Sequence, residues 1–186
     1  ICIEKYNIYD IFYNIYNKNL VIISPGEGKP LEIKINNIKF NLIRCPDNHT
    51  YIYIIKNINI NKNIKKLKIY INNNLLITKY NIYVNLKNKI LMSTVVKNEE
   101  KYIKQWITYH KNIGIDYFII YSNENNSKLK TYLNTFENKN IILIKWNYPY
   151  RLKNGISGQT TQQNHSIYIF NNVKYIGLLD IDEYVN

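Results

Sequence analysis

Beyond Lys89, strand-length apolar runs alternate with segments of helical periodicity, and this alternation constrains the fold more than any other feature of the chain. Ile90–Val96, Asp116–Tyr121, Ile141–Trp146 and Tyr175–Leu179 read as buried strands. Asn98-Glu99-Glu100 opens a helix, with Asn98 as cap and acids in the first turn, where the helix dipole favours them. Ile103, Trp106, Ile107, His110 and Ile113 fall on one face of it, and Gly114 is the stop. Ser127–Phe136 and Thr160–Phe170 read as two further helices. Such alternation predicts a mostly parallel sheet wrapped in helices, with the ligand beyond the carboxyl ends of the strands.

The first part of the chain, residues 1–88, follows another grammar. Leu31–Ile35, Ile38–Leu42, Tyr51–Ile55, Lys66–Ile71 and Tyr80–Val84 are short β-like runs. Ser24–Gly28, Pro46–Asn48 and Asn72–Asn74 separate them as turns. A small β-rich module, a sandwich or sheet, is expected there. No chemistry is legible in it.

Composition limits what the charge can mean. Ile and Asn make up roughly a third of the chain and Ala is absent, as an A+T-rich coding sequence would give. The net charge is +12, yet Lys is scattered and Arg occurs only as Arg44 and Arg151. Nucleic-acid readers rely on Arg forks, so drifted surface Lys is the simpler account and nucleic acid is not an expected partner. Cys2 and Cys45 have neither a disulfide framework nor metal-ligand spacing around them. No apolar run approaches the roughly 18 to 20 residues of a membrane-spanning helix.

The expected strand ends carry Lys97-Asn98-Glu99, Ser122-Asn123-Glu124-Asn125 and Asp180-Ile181-Asp182-Glu183. A parallel sheet gathers such tips at one edge. Carboxylates at i and i+2 past an apolar strand suit Mg²⁺ or Mn²⁺, ions that keep waters and bridge to phosphate oxygens. Alone, the same acids would serve equally as turn formers or caps.

Val95–His110, with Gly114–Asn123 in register after it, closely resembles the opening of glycosyltransferase family 92 and its family 2-like relatives. Gln159, His165 and the segment Tyr175–Val185 are similar to the later Gln, His and Asp-x-Asp-Glu-aromatic elements of that family. Ser122 stands where the family usually has Asp, Lys128 and Lys130 near a usual acid, and Gln105 for Glu. The resemblance implies a GT-A (Rossmann-like) nucleotide-sugar-binding half domain over residues 89–186, preceded by the β-rich module. It implies Mn²⁺ or Mg²⁺ on Asp180 and Asp182, clasping the donor diphosphate. Val96, Lys97, Asn98 and Asn123 would line the base and ribose pocket, Glu183 would touch the sugar or support the metal, and Gln159 would face the donor. The implied partners are a nucleotide sugar, UDP-linked with galactose favoured, and a carbohydrate acceptor. The general base and most of the acceptor site are expected beyond Asn186, in a longer protein of which this chain is a piece.

Two other readings stand beside it. One is a haloacid-dehalogenase-type phosphohydrolase, whose nucleophile also lies in an Asp-x-Asp after an apolar strand. The other is a glycan- or nucleotide-binding module on a degenerate transferase half. His110 is expected to pack rather than catalyse; Trp146 and Tyr148 are expected in a core or rim, and His165 on a helix, packing or bonding near the metal.

Overall fold

The computed structural model describes residues 6–26, 28–44, 49–61, 66–124, 128–136, 140–151 and 158–185. Cys2, Cys45, the expected turn Pro46–Asn48, Asn125 and Ser127 lie outside them. The chain forms two compact units: Ile1–Val84 with Tyr150–Thr161, and Asn85–Pro149 with Gln162–Asn186. No helix among the described residues is long and apolar enough to cross a membrane.

The first unit holds two antiparallel sheets. One has β1 (Asp10–Asn14), β2 (Asn19–Pro25), β5 (Asn41–Arg44) and β6 (Thr50–Ile55), in the order β1-β2-β6-β5. The other has β3 (Ile33–Ile35), β4 (Ile38–Lys39), β7 (Leu67–Ile71) and β8 (Asn74–Thr78), in the order β4-β3-β7-β8. Alternate residues of both, among them Ile11, Leu20, Ile22, Ile33, Tyr53 and Ile69, share one core. Hairpin turns at Asn36-Asn37 (φ 46° and 64°) and Asn72-Asn73 (φ 48° and 64°) use the left-handed region that two-residue turns require.

Several expectations need correction here. The run Ile38–Leu42 is two strands in different sheets, because Phe40 turns into the core between them while its N–H bonds the Ile33 carbonyl. Asn74 begins a strand rather than ending a turn. Tyr80–Val84 is no strand; a single bridge joins Asn81 to Phe12. Its partner is a buried carboxylate: Asn81 Nδ2 donates to Asp10 Oδ1 at 2.7 Å, and the Tyr83 hydroxyl to Oδ2 at 2.6 Å. Side-chain bonding to Asp10 takes the place of a ladder.

The second unit is a mixed α/β structure around a wholly parallel sheet. Its strands are β9 (Ile90–Val96), β10 (Tyr117–Ser122), β11 (Ile141–Lys145) and β12 (Tyr175–Leu178), in the order β11-β10-β9-β12. The helices are α1 (Glu100–Asn112), α2 (Lys128–Leu133) and α3 (Gly158–Ile169). Met92, Val96, Phe118 and Ile120 face one core with Ile103, Trp106, Ile107, Leu129 and Leu133 of α1 and α2. Residues of opposite parity meet α3: Ser93 Oγ lies 2.8 Å from Ser166 Oγ, and the Tyr121 hydroxyl 2.8 Å from His165 Nδ1. Helices therefore cover both faces of the sheet.

Three helical expectations are corrected. Glu99, not Asn98, occupies the N-cap of α1 and makes no side-chain cap bond. Asn98 instead turns the chain at φ 57°. Ile113 is half exposed, being already at the C-cap where the helix unwinds before Gly114 (φ 102°). Helix α2 is shorter than the expected segment, ending at Leu133.

Gly177 brings β12 against β9. A Cβ there would fall 2.5 Å from Met92 Sδ, inside a filled core. Gly177→Val should therefore lower the unfolding free energy by about 1–3 kcal/mol, as overpacked cores do. Urea denaturation checks this; an unchanged midpoint would mean that Met92 swings aside freely.

Candidate functional site

Strand order locates the candidate site. The chain runs outward from β9 to β10 to β11, then returns through α3 to lay β12 on the other side of β9. Loops that follow β9 and β12 thus leave the sheet in divergent directions, opening the crevice where α/β sheets bind ligands. Lys97-Asn98-Glu99 follows β9, and Asp180-Ile181-Asp182 follows β12.

Ile181 is buried in the sheet–helix core, which leaves Asp180 half-buried and Asp182 exposed on either side of it. The turn is closed by two bonds: the Asp180 N–H donates to Glu183 Oε2 at 3.0 Å, and the Glu183 N–H to the Asp180 carbonyl at 3.1 Å. Across the crevice, burial raises the Glu99 carboxyl above its ordinary value, and the negative charges of Asp182 and then Asp180 raise it further. The crevice thus concentrates negative charge from two loops.

A raised carboxyl is favoured in its protonated form by the fold. Its contribution to stability is complete below the ordinary glutamate value and is lost as pH rises through the higher folded value. Glu99→Gln should therefore raise the thermal midpoint at pH 7, with the gain vanishing as the pH falls below the glutamate range. Melting curves across pH check this, and equal midpoints at neutral pH would remove the repulsion.

Helix α1 grips the residues that follow the acidic turn. Trp106 Nε1–H donates to the Glu183 carbonyl at 3.0 Å, and the Tyr109 hydroxyl to the Val185 carbonyl at 2.7 Å. His110 is fully buried, and burial lowers its pKa against a smaller opposing effect of the Trp106 carbonyl. That carbonyl can only accept, so Nδ1 carries the proton, 2.9 Å away, and Nε2 is left to accept the Val185 N–H at 3.4 Å.

The family model of glycosyltransferase family 92 matches residues 91–185, a span that runs from β9 through the acidic turn. The chain belongs to glycosyltransferase family 92. A curated relative, a glycosyltransferase family 92 protein of Oryza sativa subsp. japonica, is 22% identical over 100 residues, covering 53% of this chain and 16% of the rice protein. The chain thus corresponds to a small part of that relative's length. Family membership sets aside the phosphohydrolase reading.

The other residues expected in a family 92 donor site are distributed as follows. Val96 is buried at the end of β9, and its carbonyl accepts from the Asn123 N–H at 2.8 Å. Lys97 and Asn98 are exposed. Asn123 Nδ2 donates to the carbonyls of Trp146 and Tyr148, at 2.6 and 2.8 Å, tying the loop after β10 to the chain after β11. Gln159 is grouped with the first unit, where its Oε1 accepts the Tyr150 hydroxyl at 2.6 Å. His165 packs between Tyr121 and Trp146, at ring separations of 5.6 and 4.8 Å. Trp146 is buried in the core, as expected.

Sequence reasoning named Glu124 only as part of a strand-end tip and gave it no role. Its Oε1 accepts the Asn98 N–H at 2.7 Å, while Oε2 is buried without a hydrogen-bond partner. A buried acid among strand-end polar residues has no sequence signature beyond its place in the loop.

Among the described residues no three His, Cys, Asp or Glu side chains converge as a ready-made metal cage. Mg²⁺ and Mn²⁺ sites of the phosphate-bridging kind need only one or two carboxylates, with waters and substrate oxygens completing the shell. The donor set of Asp180 and Asp182, with Glu99 feeling both charges, fits such an ion.

Proposed function

We propose that residues 89–186 are the donor-binding part of a GT-A (Rossmann-like) transferase domain, preceded by the β-rich module of residues 1–88. The reaction is transfer of a sugar from a nucleotide sugar, UDP-linked and with galactose as the favoured sugar, to a glycan or glycoprotein acceptor. The observation that carries this reading is the strand reversal beside β9, where burial and the charges of Asp182 and Asp180 together raise the Glu99 carboxyl.

Asp180 and Asp182 would hold Mn²⁺ or Mg²⁺ on the donor diphosphate. Such an ion supplies Lewis-acid stabilisation of the departing nucleoside diphosphate. Val96, Lys97, Asn98 and Asn123 would line the base and ribose, with Glu124 as a further acceptor for a base N–H. The exposed Lys97 ammonium adds positive charge for the phosphates. Glu183 keeps the acidic turn closed through the Asp180 N–H.

Calorimetric titration with UDP, GDP and ADP, with and without Mn²⁺, tests the reading. Binding of one nucleotide that requires the cation is expected. Absence of cation-dependent binding for all three overturns it.

A further inference from the structure

Three consecutive residues after the acidic pair are held by one face of a helix distant in sequence. Trp106, Tyr109 and His110 stand at i, i+3 and i+4 on α1, and so share a side of the helix. They hold both ends of Glu183–Val185: the indole N–H donates to the Glu183 carbonyl, the Tyr109 hydroxyl donates to the Val185 carbonyl, and the imidazole Nε2 accepts the Val185 N–H. The Tyr184 ring stacks on His110 at 5.6 Å and 10°, and meets Tyr109 edge-on at 5.0 Å. This is more than packing needs: both ring nitrogens of a buried histidine are committed to backbone, one within its own helix and one across to the segment.

Leu179 N–H bonds the Ser93 carbonyl at 3.2 Å, which anchors the turn from the strand side. The grip on Glu183–Val185 anchors it from the other. Between these two fixed points lie Asp180 and Asp182.

We propose that His110, with Tyr109 and Trp106, is a positioning residue that holds the Asp180–Asp182 turn in its cation-binding geometry by clamping Glu183–Val185 to α1. This rests on the donor-site reading above. The neutral imidazole acts through the Val185 backbone, without touching cation or nucleotide.

The test titrates UDP, GDP and ADP in the presence of Mn²⁺ against wild type and three variants, with amide hydrogen exchange at Val185 followed in parallel. His110→Phe keeps a ring against Tyr184 but loses both hydrogen bonds. His110→Gln restores an acceptor for the Val185 N–H. Tyr109→Phe removes only a hydroxyl near the surface, so it keeps the test alive if His110→Phe fails to fold. Supporting residues around metal ligands cost about 10- to 100-fold in affinity when lost, and a clamp acting through backbone belongs near the lower figure. His110→Phe and Tyr109→Phe should weaken cation-dependent binding about 10-fold or somewhat less and deprotect the Val185 amide, with His110→Gln close to wild type. Wild-type affinity in both Phe variants, despite a deprotected Val185 amide, overturns the clamp alone. Silence from the wild type itself overturns the donor-site reading and the clamp with it.

Discussion

Asp182→Asn should abolish cation-dependent nucleotide binding, weakening it by about 100-fold or more. Loss of a residue that merely supports a metal ligand already costs about 10- to 100-fold, so loss of a ligand's charge costs at least the upper part of that range. The substitution is nearly isosteric and exposed, so it leaves packing alone. It also removes the first of the two charges that hold the Glu99 carboxyl high. Thermal stability at neutral pH should consequently stay level or rise while binding vanishes. That pairing separates a lost ligand from a misfolded domain. Calorimetry with UDP, GDP and ADP in Mn²⁺, beside a melting curve, reads both; unchanged affinity would take Asp182 out of the site.

Trp106→Ala should come close to unfolding the second unit. The ring is fully buried, meets Phe118 edge-on at 5.8 Å and lies 4.7 Å from His110. Truncating a buried Trp costs about 3–5 kcal/mol, a large share of the roughly 5–15 kcal/mol that keeps a domain folded. The same change frees the Glu183 carbonyl, so the tail of the acidic turn loosens even in molecules that remain folded. Trp106→Phe keeps most of the packing and loses the indole N–H, for which about 1–2 kcal/mol is expected. Urea unfolding followed by far-ultraviolet circular dichroism orders the three proteins. An alanine variant as stable as the phenylalanine one would show that the cavity collapses without cost.

The parallel sheet was legible because its strands are buried runs separated by helix-period segments, and β9 runs from Ile90 to Val96 as the apolar run does. Contrast is what the first unit lacks. With Ile and Asn so abundant, Tyr80–Val84 alternates as convincingly as Leu67–Ile71, and only a carboxylate from Asp10, far away in sequence, decides against a strand there. β1, β2 and β8 were overlooked for the same reason: apolar alternation everywhere marks nothing in particular.

The acidic turn was legible as a polar tip past an apolar strand, and the alternation pointed to the edge where it lies. Its supports were not. A bond from an indole N–H to a backbone carbonyl, or from a backbone N–H to imidazole, constrains only the residue type on the side-chain end of the bond. Glu183 contributes a carbonyl that any residue would offer, and Val185 an N–H that any residue but proline would. Asn98 misled as a cap because Asn suits both a cap and a left-handed turn, and here the turn wins, with the Glu124 carboxylate accepting the Asn98 N–H.

Eight of the nine described non-glycine residues with positive φ are asparagines. The left-handed region excludes most side chains, and asparagine enters it at less cost than other residues because its short amide can bond locally. Glycine, the usual occupant, is encoded by G-rich codons and occurs only six times in this chain. Asparagine is thus the main corner piece here, one that an A+T-rich coding sequence would still supply, and the hairpins at 36–37 and 72–73 are made from it. A coding drift that strips a protein of alanine and thins its glycine can leave its chain reversals intact, so long as the genetic code keeps one tolerant residue within reach.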